Sequence, residues 1–282
     1  MRPFAFVAHG RNVEMTGTPT VGDILDLIEQ TAPAGLAERW DNPGLQVGYS
    51  EQRVHALLAA LDPSESAVAE AASRGAQLIL THHPLFFRPV NSLALDSFPG
   101  NVVHAAVTGG ISLASIHTNL DAARNGISDV LAEMIGLRDV GVLEEGRKEE
   151  GVGLGRVGDL VEAETAEAVL ERMKTSLGIR HLRMAGAMPA SVKRIAVVGG
   201  SGGGMIPAAA KAGADVLLTG DVTYHQALDA LQRGLMVVDG GHFATEKAAF
   251  VHVVRNFASA MARFGWAVEI HTAEEADPFT VL

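Results

Sequence analysis

The chain has 282 residues, enough for one large α/β domain or two lobes, and its 48% hydrophobic and 20% charged residues describe a packed protein rather than a disordered one. Lys plus Arg is 22 and Asp plus Glu is 33, so the formal charge is −11, which sets the surface against nucleic-acid phosphates and anionic membranes. Cysteine is absent, which excludes disulfides, thiolate metal sites and cysteine nucleophiles; any metal must be held by imidazole and oxygen ligands.

No apolar run reaches the roughly 18 residues of a membrane span. Phe4 to Ala8 is shorter than the about 7–15 apolar residues of a signal-peptide core. The expectation is a cytoplasmic protein with neither nucleic acid nor membrane as partner. Residues 1–19 read as a tail, with translation starting at Met1 or at Met15.

Thr20-Val21-Gly22-Asp23 opens a helical pattern whose apolar face is Ile24, Leu25, Leu27 and Ile28. Trp40 to Gly44 reads as a turn. Val54 to Leu61 is a near-continuous apolar run, as for a strand buried on both faces. Asp62-Pro63-Ser64 starts a helix ending near Gly75, and Leu78 to Leu80 is a strand running into Thr81-His82-His83-Pro84. Val102 to Val107 is helical. Ile111 to Ile116 is a strand running into His117. This rhythm predicts a mostly parallel sheet flanked by helices.

The charged stretch Leu143 to Gly151 reads as a linker between a first α/β lobe over 20–142 and a second over 152–282. In the second, Ala166, Val169, Leu170, Met173 and Leu177 fall at helical spacing with Gly178 as C-cap. Strands are predicted at Arg194 to Val198, Val216 to Leu218 and Leu235 to Val238, and a last helix at Glu246 to Phe264. The Gly-rich loop Gly199 to Gly204 fits either a phosphate-binding loop or a tight turn that approaches another segment closely. It matches neither G-x-G-x-x-G nor a P-loop.

Strands end in polar segments at His82, His117, Asp221 and His242, where ligands of open parallel sheets bind. His82 and His83 can both face one site if the backbone leaves strand geometry before Pro84; otherwise one is buried and the other faces solvent. His117 and Asp121, and His242 and Glu246, are four apart, the spacing that puts two side chains on one helix face. Asp121 and Glu246 are carboxylates able to bridge two ions about 3.5–4 Å apart. His225, beside Tyr224, is a candidate proton shuttle, or else a structural residue at a helix start.

Thr81-His82-His83-Pro84-Leu85, Ile116-His117-Thr118-Asn119-Leu120-Asp121, Gly220-Asp221 with Tyr224-His225, and Gly240-Gly241-His242 with Glu246 follow in this order. Trp40-Asp41-Asn42 with Gly44-Leu45 precedes them, and Gly199-Gly200-Ser201-Gly202 falls between. From about residue 20 onward the chain resembles the Nif-three-like dinuclear metal protein family, the GTP cyclohydrolase I type 2 homologues. The resemblance implies two related α/β lobes with a dimetal site in the cleft between them, and a ring-shaped homohexamer. It implies two divalent ions per chain, held by His82, His83, Asp121, His242 and Glu246, with His117 beside them. The short span from Asp121 to Arg194 implies that the central domain inserted in longer members is lacking.

Two functions follow as expectations. One is a metal-dependent hydrolase of a small molecule, a nucleotide or phosphate ester, with His117 or His225 moving protons. The other is a non-enzymatic metal-handling or regulatory protein. His/carboxylate sites accept Zn, Fe, Mn, Co or Ni, so the ion stays open.

Overall fold

The computed structural model describes residues 17–146 and 151–281. Residues 1–16 of the expected tail over 1–19 and the centre of the expected linker, 147–150, lie outside the described residues. Thr18 and Pro19 are already tied in, since their carbonyls accept from Arg53 Nη1 at 2.5 Å and Val54 N–H at 2.8 Å.

The chain divides into two compact units, one of residues 1–120 and 253–276 and the other of 121–252 and 277–282. The first begins with α1 (Val21–Thr31), whose Thr20 and Asp23 form a reciprocal capping box. Then come β1 (Gly44–Val47), β2 (Ala56–Ala60), α2 (Glu65–Ser73), β3 (Leu78–Thr81), α3 (Gly100–Thr108) and β4 (Ser112–Ser115). The short helix α4 (Thr118–Ala122) follows. The unit is completed from far along the chain by β11 (Glu269–Thr272). Its sheet runs β1-β4-β3-β2-β11, parallel except for β1 against β4. Leu58, Ile79 and Leu113 point to one face of it, where Val68, Ala71, Val102 and Ala106 of α2 and α3 cover them.

The second unit holds α5 (Ile127–Ile135), β5 (Arg138–Glu145), β6 (Gly153–Glu164), α6 (Ala166–Leu177), β7 (Arg183–Ala185) and β8 (Val192–Ser201). It continues with α7 (Ile206–Lys211), β9 (Val216–Gly220), α8 (Tyr224–Arg233), β10 (Met236–Asp239) and the start of α9 (His242–Arg263). Its sheet runs β5-β6-β8-β9-β10-β7. Alternation along the central strands serves two cores. Ile195, Val197, Val216, Leu218, Met236 and Val238 pack with Leu131, Ile135, Val169 and Met173 from α5 and α6. Ala196, Leu217 and Val237 pack with Ile206, Ala209 and Ala230 from α7 and α8.

Both sheets are those of an α/β protein, but the second is mixed. Only β8-β9 and β9-β10 are parallel, whereas β5-β6, β6-β8 and β10-β7 are antiparallel. The expected linker is part of the reason. Leu143 to Glu145 belongs to β5, which pairs Glu144 with Leu154 and Glu145 with Gly153, and Gly146 N–H donates to Val152 at 2.7 Å. The described ends of the charged stretch are therefore held in an antiparallel pair of strands, β5 against β6. Accordingly, the units do not part at 143–151. Among the described residues no helix is long and apolar enough to cross a membrane.

Arg156 of β6 sits only 2% exposed in this mixed sheet. Its guanidinium is fully used: Asp129 of α5 takes Nε and Nη2, Ala123 takes Nη2, and the carbonyls of Gly153 and Gly155 take Nη1. Removing one partner of such a pair strands the others. Arg156→Met should cost roughly 3 kcal/mol in urea unfolding, while Arg172→Met, at a partly exposed pair with Glu164, should cost under about 1 kcal/mol. Equal losses would mean that Arg156 is not the clamp described.

Candidate functional site

In the first unit three parallel strands end side by side, β2 before Asp62, β3 before His82 and β4 just before His117. In the second, β9 ends before Asp221 and β10 ends before the Gly240-Gly241-His242 turn. Each unit thus presents polar side chains at the carboxyl edge of its parallel strands, as the sequence predicts.

His82, His83 and His117 come together. Each offers a ligand atom within 4.8 Å of the others, and their ring centroids are 5.1–5.5 Å apart. The adjacent pair shares a side because the backbone turns at the strand exit, where the Thr81 hydroxyl donates to the His83 carbonyl at 2.7 Å. His82 is fully buried, and its Nδ1 lies 2.8 Å from the Ile116 carbonyl. A carbonyl only accepts, so Nδ1 carries the proton and Nε2 keeps its lone pair. His83 Nδ1 is 2.8 Å from Asp62 Oδ1. The end of β2 is fixed in turn by Glu275, whose carboxylate accepts from the Leu61 and Asp62 N–H groups at 2.8–3.0 Å.

His117 Nδ1 is 2.9 Å from Asp41 Oδ1, whose side chain is buried. The other Asp41 oxygen accepts from the Thr118 N–H at 3.0 Å and from its hydroxyl. Burial alone would push this carboxyl up. The hydrogen bonds from His117 and Thr118, the His117 charge and the Asn42 N–H outweigh it and hold the pKa at about 2.

In the second unit His242 Nε2 lies 3.0 Å from Glu246 Oε2, one turn along α9. Its Nδ1 lies 2.7 Å from Asp221 Oδ2. Asp221 holds a left-handed backbone conformation, φ 55°, which Asp tolerates better than most residues. Asp239 fixes both turns, accepting from Val222 N–H at 3.2 Å and Gly241 N–H at 3.0 Å. The glycine loop serves this pair. Gly199 to Ser201 continue β8, and the N–H groups of Gly200 and Gly202 are taken by the hydroxyls of Thr245 and Thr219. Gly200 has φ +62°, and a Cβ there would fall 1.9 Å from Glu246 Oε1 and 3.2 Å from His242 Nε2. Of the two readings of this loop, close approach is the one its geometry supports.

Asp121 lies on α4, four residues after His117. His225 is exposed on the first turn of α8, with its ring 5.5 Å from that of Tyr224. The donors suit a divalent cation. They are imidazoles and carboxylates, and His82, His83, His117 and His242 all have Nδ1 engaged by an oxygen, which turns Nε2 outward as the ligating atom. Asp41, Asp62 and Asp221 hold histidines of the candidate site, a role the sequence reading did not give them, although it marked Asp221 as a polar strand end. Each ends a strand or sits in a turn motif already visible, but its partner histidine is 21 to 76 residues away.

The family model for Duf34/NIF3 (NGG1p interacting factor 3) matches residues 19–278. A Clostridium perfringens protein named GTP cyclohydrolase 1 type 2 homolog is 37% identical over 92% of this chain and 98% of its own length. A Streptomyces coelicolor protein of the same name is 34% identical over 93% of this chain and 94% of its own. The crystal structure of a Bacillus cereus protein related to NIF3 superposes with a TM-score of 0.89 at 26% identity, covering 95% of this chain and all of that one.

The Asp41 pair has a pH signature. The carboxyl falls from 3.8 to about 2 on folding, so its stabilisation is present above about pH 4 and is lost as pH drops through about 2. Asp41→Asn should therefore cost about 2 kcal/mol at neutral pH, with the gap from wild type closing between pH 4 and pH 2 in urea unfolding. A gap independent of pH would remove the ionised carboxylate from the account.

Proposed function

The chain belongs to the Duf34/NIF3 family, and from that premise we propose that it binds two divalent metal ions through His82, His83, Asp121, His242 and Glu246 and hydrolyses a small molecule with them. The observation that carries this reading is the oxygen acceptor on Nδ1 of every histidine in the proposed site. Imidazoles held in this way have a fixed tautomer and a fixed aim, which metal ligation requires. The carboxylates Asp121 and Glu246 supply the negative charge that two neighbouring cations need. Divalent ions bound there would polarise the scissile bond and make a water nucleophilic near neutral pH.

The chain's own residues supply the proton handling. Asp41 holds the Nδ1 proton of His117, so Nε2 can take a proton and return it. His225 is the second candidate for that role. The name shared by the relatives favours ring opening of a nucleotide, and phosphoester hydrolysis would use the same donors.

Protein stripped of metal and reloaded with zinc or manganese should hold more than one equivalent by elemental analysis, and Glu246→Gln should lower that content. A ceiling of one ion would refute the dinuclear site. In a screen of GTP and phosphoesters, His117→Ala should keep its metal and lose roughly 10²–10⁴-fold in turnover, with His225→Ala as the comparison. Two ions without turnover on any substrate would favour metal handling over catalysis.

Gly200→Ala should weaken metal binding roughly 10–100-fold by forcing the Glu246 carboxylate aside. Gly204→Ala is the control, because a Cβ there meets nothing within 4 Å. Equal affinity in the two variants would show that Gly200 does not position Glu246.

A further inference from the structure

The chain has two tryptophans, and they differ sharply: Trp266 is 5% exposed and Trp40 is 54% exposed. Phe87 is 49% exposed, and its ring centroid lies 5.3 Å from that of Trp40. Both rings meet His117, at 5.9 Å from Trp40 and 5.7 Å from Phe87, each in edge geometry. Scattered apolar side chains on a surface are ordinary. A pair of half-bare aromatic rings against one imidazole of a histidine cluster is not scatter.

The pair is also fixed in place. Trp40 precedes Asp41, which is hydrogen-bonded to His117 and Thr118. Phe87 follows Phe86, whose carbonyl accepts from Asn42 Nδ2 at 3.1 Å and whose N–H donates to Gln46 Oε1 at 3.3 Å. Gln46 Nε2 closes the set on the Asn42 carbonyl at 2.7 Å. The backbones under both rings are thus stapled together, and a ligand that rests on them orders little that is not already ordered.

We propose that Trp40 and Phe87 form a stacking shelf for a flat heteroaromatic ring, so that the small molecule acted on beside His117 is an aromatic one such as a nucleoside or its derivative. This rests on the proposed site for its catalytic meaning, but the shelf itself is measurable without it. Aromatic faces favour planar π-systems of any sequence or substituent pattern, whereas an aliphatic sugar phosphate gains little from them. The acidic surface already disfavours a polynucleotide, which leaves a single ring system as the occupant.

The test uses the full chain with Trp266→Phe, so that fluorescence reports Trp40 alone. Guanosine is the probe, because it carries the ring and no phosphate to bind a metal; ribose 5-phosphate is the control. Saturable quenching by guanosine and none by ribose 5-phosphate is expected. Calorimetry on Phe87→Leu and on Trp40→Leu should show guanosine bound roughly 10-fold more weakly or worse, with zinc uptake in dialysis unchanged. Equal guanosine affinity in both variants, or equal response to ribose 5-phosphate, would overturn the shelf. So would a Trp40 shielded from acrylamide that becomes accessible on dilution, because a second copy of the chain would then be its occupant. Guanosine stacking in wild type that takes up no zinc would sink the proposed metal site and leave the shelf standing.

Discussion

An imidazole has two nitrogens, and only one of them can face a cation or a reacting proton. What holds the other decides the tautomer and the direction of the ring. At the candidate site this constraint is met four times, with the Ile116 carbonyl on His82, Asp62 on His83, Asp41 on His117 and Asp221 on His242. The holders are held in turn. Glu275 takes the N–H groups beside Asp62, Thr118 grips Asp41, and Asp239 ties the turn after Asp221 to the turn before His242. Much of the polar structure at the strand ends serves to keep these rings from swinging.

The two units meet the constraint with the same chain path. In the first, helix, edge strand, strand, helix, strand, helix, strand runs from α1 to β4; in the second the same order runs from α6 to β10. The edge strand lies antiparallel beside the third parallel strand in both, β1 against β4 and β7 against β10. After each of these third strands the sequence places a histidine and, four residues on, an acid: His117 with Asp121, and His242 with Glu246. Asp221 follows β9 where His82 and His83 follow β3, so one position in the path supplies a holder in one unit and ligand candidates in the other. The units then differ in what widens them, β11 beside β2 in the first and the antiparallel β5-β6 pair beside β8 in the second.

The parallel strands were legible because their residues are apolar on both faces and their ends are polar. Val54 to Leu61, Leu78 to Leu80 and Val216 to Leu218 leave little room for another reading. The histidines were legible for the same reason, as polar residues at strand ends. β6 was not, because Gly153, Gly155, Gly158 and Asp159 break its pattern, although the glycines are what let it pack: a Cβ on Gly158 would fall 2.7 Å from the Arg138 carbonyl. β7 was hidden by being only three residues long. Asp41 was hidden in a different way. Its carboxylate matters through a residue 76 positions away, and spacing carries no such information.

The first unit is not continuous in sequence, and this has a consequence for its synthesis. Its last strand, β11, pairs in parallel with β2, and Glu275 reaches Leu61 across 214 residues. A ribosome therefore releases β2, β3 and β4 long before β11 exists, and residues 121–252 of the second unit must emerge in between. During that interval the β2 edge stays open, the kind of unpaired edge that invites pairing with another chain. The acid that steadies Asp62, and through it His83, is made 213 residues after it. The histidine cluster gains its final orientation only after Glu275 has emerged and reached the end of β2.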